Sequence, residues 1–299
     1  MKNLLHRILE TKKDDIQRAR TARPLKELQR RIRDIEKPLA FRPALTSKGF
    51  GIIAEIKKKS PSRSDMRPEN VEEAPEVYRE NDWVKAVSIL TDWTYFGMTV
   101  EEMERLKPQI KKPILRKDFI FDEYQIWEAR AFGADAILLM ACIPVSKRQL
   151  KVLFDLASEL GIEVLFEVHS QKELRRVPDK ARIIGINSRK FMTSQQDWRY
   201  FLSRWSSRLS RIVGIRDLST DIELFHKLIG VLPKGVIKVA ESGVTPSSIA
   251  GIRNLNFDCA LIGTALLQSP GGVRNALNQF VKALEVAEDV LQAPAAVHV

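Results

Sequence analysis

Short runs of apolar and β-branched residues alternate along the chain with longer stretches in which apolar positions recur every three or four residues. The short runs fall at Gly51–Lys57, Ala86–Leu90, Ile114–Lys117, Ala136–Met140, Glu163–Glu167, Ile183–Asn187, Val236–Glu241 and Cys259–Ile262. They predict strands, and the stretches between them predict helices. Ser146 with Gln149 forms a capping-box pattern ahead of Leu150 and Leu153, Thr245-Pro246 precedes Ile249 and Ile252, and Val100, Met103 and Leu106 share one helical face. Strand then helix is the repeating order, and about eight strands is the number a closed barrel requires. The expected fold class is therefore α/β, a (β/α)8 or TIM barrel. A doubly wound sheet would want a Gly-x-Gly-x-x-Gly turn after its first strand, and Ile56 to Ser64 offers none.

Two stretches depart from the repeat. Residues 1–48 read as an N-terminal helical extension, with Leu25, Leu28, Ile32 and Ile35 forming a stripe among Lys26, Arg30, Arg31 and Arg33. The basic run reads as a solvated helix face, since nucleic-acid binding would call for interleaved aromatics or a motif. The gap between Asn187 and Val236 is long enough for two helical units, so an insertion is expected after the sixth strand. Within it, Arg211–Leu218 echoes Arg182–Arg189. The earlier segment is taken as the strand because it follows Glu167 by one helix plus loops and ends in a polar cluster. The whole chain then reads as one domain, with the barrel at 51–290 and a frayed tail at 291–299.

Composition narrows the class. The chain has 299 residues, 44% hydrophobic, which suits one elaborated barrel rather than two domains. A net charge of +11 favours anionic partners without choosing among nucleic acid, acidic membrane and phosphorylated metabolites. Cys142 and Cys259 each adjoin an apolar run, as reduced buried thiols do, and no stretch resembles a signal peptide or a membrane span. A cytoplasmic address is the expectation, with no membrane partner and no nucleic acid; a monomer or weak homodimer is expected.

In such a barrel, side chains at the C-terminal strand ends converge on one mouth. Here those ends carry Glu55 and Lys57, Lys117, Glu167, Asn187 with Arg189, and Glu241 with Ser242. Alternation puts Glu55 and Lys57 on one face of their strand. Charges inside an apolar strand are costly to desolvate unless paired or used. A structural ring of ion pairs would account for them but not for the glycine-bearing loops beside them. Loops after the seventh and eighth strands of barrels commonly cradle phosphate, and here they read Glu241-Ser242-Gly243 and Ile262-Gly263-Thr264, with Ser60-Pro61-Ser62 facing them after the first strand. Ser60, Gly243, Gly263 and Thr264 are the candidate phosphate-binding residues. His6, His169, His226 and His298 are scattered, so no metal site emerges, and His169, near a strand end, reads as a packed or hydrogen-bonded residue. No Cys-His or Ser-His arrangement suggests a covalent acyl enzyme, which leaves acid–base work to lysine and glutamate.

The motifs Ile53–Ser62, Ser88–Asp92, Leu115–Ile120, Phe166–His169, Ile186–Arg189 and Glu241–Gly243 resemble, in order, those of indole-3-glycerol-phosphate synthases, and Phe41–Leu45 extends the likeness into the N-terminal helices. The resemblance implies ring closure, decarboxylation and dehydration of a carboxyphenylamino-deoxyribulose phosphate in tryptophan biosynthesis, without a cofactor. It implies Lys117 as general acid, Glu167 and Lys57 in the dehydration stage with their roles open, and Glu55 orienting Lys57. Asn187, Arg189, Glu241 and Ser242 would line the substrate; Phe96 and Phe119 serve as ring walls or as core. The chain departs from the family at Arg63-Ser64, where a glycine is usual, and at Lys190, where an acid is usual. Another phosphate-binding barrel enzyme, such as a phosphoribosylanthranilate isomerase, and an inactive basic barrel serving as a scaffold are the competing readings.

Overall fold

The computed structural model describes residues 4–47, 49–61, 65–189 and 222–292. Within them, β1 (Gly51–Ile56), β2 (Val84–Leu90), β3 (Ile114–Lys117), β4 (Ala136–Met140), β5 (Glu163–Val168), β6 (Ile183–Asn187), β7 (Ile237–Glu241) and β8 (Cys259–Ile262) close into a parallel barrel in sequence order. The expected strands are recovered with ends shifted by at most two residues; β2 starts earlier, at Val84, because its pairing with Ile52 begins there. The earlier candidate segment is β6, paired with β5 and β7 on its two sides. Its rival at 211–218, the departures at Arg63, Ser64 and Lys190, the hydroxyl of Ser62, and the tail beyond residue 292 lie outside the described residues.

Three helices precede the barrel: α1 (Leu4–Ala22), α2 (Leu25–Asp34) and α3 (Phe41–Leu45). Around it run α4 (Pro68–Glu80), α5 (Trp93–Phe96), α6 (Val100–Ile110), α7 (Glu123–Ala131), α8 (Lys147–Glu159), α9 (Gln171–Leu174), α10 (Ile222–Ile229), α11 (Ile249–Asn254), α12 (Thr264–Leu267) and α13 (Val273–Gln292). Thr99 and Glu102 form a reciprocal capping box on α6, which buries Val100, Met103, Leu106 and Ile110. The box expected on α8 is half made: Ser146 Oγ accepts from the Gln149 amide at 3.0 Å, but the Gln149 side chain donates to the Phe121 carbonyl at 3.2 Å instead of returning. Helix α11 starts later than Thr245-Pro246 suggests, because Thr245 and Ser248 bond to each other in a turn ahead of it. No helix among the described residues is long and apolar enough to cross a membrane.

Strand alternation sorts the apolar residues into two cores. Ile52, Ala54, Ile56, Val87, Ile137, Phe166, Ile184 and Ala240 face the helices. Ile53, Ala86, Leu115, Leu138, Leu165, Ile183, Val239 and Leu261 fill the barrel. Of the N-terminal helices, α3 and the start of α1 belong to this inner core, whereas Ile16 of α1 and Leu28 of α2 join the outer one. Phe41 and Leu45 of α3, both fully buried, close the end where the strands begin, and the Cys259 thiol there donates to the Leu45 carbonyl at 3.4 Å. Ile8 and Leu9 of α1 join Phe119, Met140 and Ile143 near the opposite end. Of the predicted α2 stripe, Leu28 is buried while Leu25 stays exposed. Lys26, Arg30 and Arg33 face solvent, as a solvated helix face would. Arg31 is only partly exposed: its guanidinium lies 4.4 Å over the Phe132 ring and its Nε donates to the Ala131 carbonyl at 2.7 Å.

Candidate active site

Followed from the plugged end of the barrel to the open one, each inward row changes from apolar to polar. Ile53 is succeeded by Glu55 and Lys57, Leu115 by Lys117, Leu165 by Glu167, Ile183 by Gly185 and Asn187, and Val239 by Glu241. Because inward positions recur every second residue, a two-residue step along five strands suffices to turn a packed core into a charged mouth. Glu55, Lys57, Glu167, Asn187 and Glu241 are all buried. Lys117 is the more open, with 19% of its side chain exposed.

Glu55 is the hub. Lys57 Nζ donates to Glu55 Oε1 at 2.6 Å, and Lys117 Nζ lies 3.5 Å from Oε2. Burial disfavours the Glu55 charge, but Lys57, Lys117 and Arg189 overcome that and hold its pKa down at about 2. Lys57 shifts the other way from what its ion pair alone would give. Burial lowers its pKa, Glu55 opposes, and Lys117 and Arg189 add their repulsion, so the net shift is downward. Lys117 is also penalised by burial, yet Glu55, Glu167 and Glu241 raise its pKa and keep it charged. Three cations thus converge on one carboxylate, an arrangement that leaves positive charge available for an anion.

Across the mouth the carboxyl groups are less well served. Neither side-chain oxygen of Glu241 receives a hydrogen bond from a donor group among the described residues, and the same is true of Glu167 Oε1 and Ser88 Oγ. Burial, and then the adjacent charge of Glu167, raise the Glu241 pKa well above the carboxylate range, with Lys117 opposing. Of the two neighbouring carboxyl groups, Glu241 is thus the one whose neutral form is favoured. Glycine makes room for this crowd. A Cβ on Gly185 would stand 1.9 Å from Glu241 Oε1, and one on Gly263 would stand 2.3 Å from Glu55 Oε1. Gly263, expected as a phosphate contact, therefore also has a reason to be glycine that lies in the carboxylate beside it. Gly185 was not singled out in the sequence; its signal is a glycine inside a strand whose inward row ends in Asn187.

The remaining candidates ring this centre. Asn187, opposite Glu241 in the β6–β7 register, accepts the Arg189 amide at 2.9 Å. Ser188 ties the same two strand ends by donating to the Ser242 carbonyl at 3.0 Å. Ser242 adopts φ +69° without being glycine, and Gly243 follows at φ +67°. A non-glycine residue held in the left-handed region at a strand end is strain of the kind that gathers at working sites. Phe96 and Phe119 stack with ring centroids 6.3 Å apart, Phe119 being buried in the inner core, so core packing and a wall role coexist there. Ser60, buried in the loop after β1, lies on a segment tied to α12 through Arg67 and Asn70, whose backbone and side-chain amides donate to the Leu267 carbonyl at 3.1 and 3.0 Å. Thr264 opens α12 immediately after Gly263.

Sequence reading also missed what holds β3 in place. Arg116 and Asp118 flank Lys117 and point away from the barrel interior. Arg116 reaches Thr91 Oγ1 at 3.0 Å, Asp118 Oδ2 at 3.0 Å and Glu128 Oε2 at 2.9 Å. Lys12, from α1, bridges Asp92 at 2.7 Å and Asp118 at 2.8 Å while almost fully buried. Acidic residues on both sides of a strand-end lysine were the available signal, but their partner stands some eighty residues or more away in the chain.

A family model described as indole-3-glycerol phosphate synthase matches residues 5–199. The indole-3-glycerol phosphate synthase of Bacteroides thetaiotaomicron is 33% identical over 95% of this chain and 100% of its own length. That of Leptospira interrogans is 36% identical over 93% of this chain and 97% of its own. Among solved structures, 3-hexulose-6-phosphate synthase from Salmonella typhimurium superposes with a TM-score of 0.55 at 12% identity, covering 80% of this chain and 100% of its own, a likeness of fold alone. Similarity at a third of all positions, carried through nearly the whole length of both chains, places this chain in the indole-3-glycerol phosphate synthase family.

Proposed function

We propose that the chain is a carbon–carbon lyase that converts 1-(2-carboxyphenylamino)-1-deoxyribulose 5-phosphate to indole-3-glycerol phosphate, carbon dioxide and water. The observation that carries this reading is the convergence of Lys57, Lys117 and Arg189 on Glu55 beside the buried carboxyl groups of Glu167 and Glu241. The substrate is anionic at both ends, and the mouth is cationic on one side.

The chemistry sets what each group must do. Ring closure joins the aromatic carbon bearing the carboxylate to the ketone carbon, so the ketone oxygen needs a proton; Lys117, kept charged and partly open to the mouth, supplies it. Loss of carbon dioxide restores the aromatic ring. Dehydration then protonates the new hydroxyl as it leaves and removes a proton from the carbon next to nitrogen. Glu167 is the base for that removal, with Lys57 or the protonated Glu241 as the second acid. The anthranilate carboxylate would pair with the lysines, Asn187 and Arg189 would orient the sugar, Ser242 would line it, and the stacked Phe96 and Phe119 would wall the ring. Ser60, Gly243, Gly263 and Thr264 would take the phosphate, and Gly263 links that end to Glu55 directly.

Purified protein mixed with the carboxyphenylamino-deoxyribulose phosphate is expected to release carbon dioxide and develop indole absorbance in equal amounts, with no added cofactor and no loss of rate under chelation. Absence of both products from folded protein defeats the reading.

A further inference from the structure

The tie between Ser188 and the turn after β7 does more than join two strand ends. Asn187 finishes an inward row, so Ser188 after it points the other way, and it is completely buried. Its amide donates to the Glu241 carbonyl at 3.0 Å, and its hydroxyl stands 3.2 Å from that same oxygen and 3.0 Å from the Ser242 carbonyl. The Glu241 carbonyl is already served by the amide, and the Ser242 carbonyl has no other donor among the described residues, so the hydroxyl proton belongs to Ser242. One residue at the end of β6 thus holds two successive carbonyl groups of the neighbouring chain. In an extended strand such carbonyls point to opposite sides. Both face Ser188 because the chain turns between them in the left-handed sense, with Ser242 at φ +69°. The two peptide groups flanking the Ser242 Cα set its φ and ψ, and Ser188 grips the carbonyl of each.

A trans peptide carries its N–H on the side opposite its carbonyl. With the Ser242 carbonyl turned toward β6, the Gly243 N–H is turned away from β6, and the strand on that side of β7 is β8. Gly263 and Thr264, the other half of the proposed phosphate cradle, follow β8. Among the described residues no backbone carbonyl takes the Gly243 amide, and Gly243 is only half-buried. We propose that Ser188 is a positioning residue for phosphate binding: its hydroxyl locks Ser242 in the left-handed turn that presents the Gly243 N–H to the substrate's phosphate. The proposal rests on the function given above, and Ser188 itself touches no part of the substrate.

A Cβ makes the left-handed region costly for serine, and glycine alone escapes that cost. Without the Ser188 hydroxyl, only the Ser188 amide opposes the strain at Ser242, and the Ser242 carbonyl has nothing to face. The peptide after Ser242 is then free to rotate. Gly243, at φ +67° and tolerant of either sign, offers no resistance, and its N–H leaves the line to the phosphate. The neighbours supply no second clamp. Asn187 accepts the Arg189 amide at 2.9 Å, and Thr245 and Ser248, farther along the same turn, bond to each other. The phosphate lies away from the bonds that are made and broken, so the clamp serves substrate and transition state alike and acts on KM and not on kcat.

The test uses the full chain with two probes, inorganic phosphate and the carboxyphenylamino-deoxyribulose phosphate. In a heteronuclear NMR titration, inorganic phosphate should shift the Gly243 amide resonance of the wild type; an unmoved resonance overturns the proposal. Ser188→Ala should need about tenfold more phosphate or beyond for the same shift, the worth of one hydrogen bond to a charged group, and KM for the substrate should rise in step with kcat little changed. Glycine takes the left-handed region without a clamp, so in a Ser242→Gly background the same Ser188→Ala change should cost at most about threefold. Unchanged phosphate affinity in Ser188→Ala overturns the proposal. So does an equal loss in the two backgrounds, because Ser188 would then act through something other than the Ser242 backbone. If circular dichroism shows Ser188→Ala unfolded, Ser188→Cys, which keeps the volume without the strong donor, takes its place under the same two criteria. A wild type that binds phosphate at Gly243 but turns over no substrate is a different failure, that of the proposed reaction.

Discussion

Two groups of buried charges meet at the end of β3, back to back, and they are finished to different degrees. On the outer side, Lys12, Asp92, Arg116, Asp118 and Glu128 each face an opposite charge, and Arg116 alone reaches a hydroxyl, a carbonyl and two carboxylates. On the inner side, Glu55 is shared by several cations while Glu241 has no donor among the described residues. Burying charge is costly on both sides. The outer set recovers most of the cost within the protein, Asp92 alone keeping a pKa raised by its burial, which is what a structural element does. The inner set leaves part of it unrecovered, which is what a site built for something absent from the protein does.

That contrast can be broken by substitution. The largest effect is expected from Lys117→Ala, which should reduce kcat by ~10²–10⁴-fold or more and leave the Tm nearly unchanged; steady-state kinetics with calorimetry tests both, and substantial residual activity removes Lys117 from the acid role. Lys12→Met should do the reverse. It strands Asp92 beside Asp118 and should lower stability by about 3–5 kcal/mol, measured by urea unfolding; a variant as stable as the wild type would mean the outer network is not structural.

Glu241→Gln should split the two properties. A carboxyl whose pKa is raised by folding binds its proton more tightly in the native state, so it subtracts stability as pH climbs from the ordinary carboxylate value toward its folded pKa. The amide removes that slope, and the Tm above pH 5 should rise by a few degrees, about 2–4 °C per kcal/mol, while kcat falls. Thermal scans across pH 4–8 reveal it, and an unaltered pH slope would show that Glu241 is not held protonated. The smallest effect is expected from Gly185→Ala. Its methyl displaces the end of a flexible carboxylate and not backbone, so stability should change by about 1 kcal/mol while kcat drops severalfold; equal kcat would mean that the Glu241 position does not matter to turnover.

The fold and the inner site were legible in sequence for the same reason. Strands buried on both faces are written as short apolar runs, and a charged residue that ends such a run, as Glu55, Lys117 and Glu167 do, stands out against it. The order and bounds of the strands followed directly, and so did the inward parity of Glu55 and Lys57. The outer network was illegible because Lys12 belongs to an ordinary amphipathic helix and meets Asp92 and Asp118 only after the barrel closes. Gly185 and Gly263 were read, where they were read at all, as backbone freedom, whereas their neighbours are side chains from adjacent strands. His169 read as a packed or hydrogen-bonded histidine, and it is held by Glu173; its two carboxylate neighbours lie two and four residues away, a spacing that becomes informative only once Ser170 is seen to turn the chain.

The plug formed by Phe41 and Leu45 has a mechanical consequence. With the strand-start end filled by side chains, the barrel is a cup and not a tube. Whatever enters over the charged rim leaves over the same rim, so a bulky phosphorylated product and the next molecule of reactant compete for one doorway, and clearing the vessel becomes a step with its own rate.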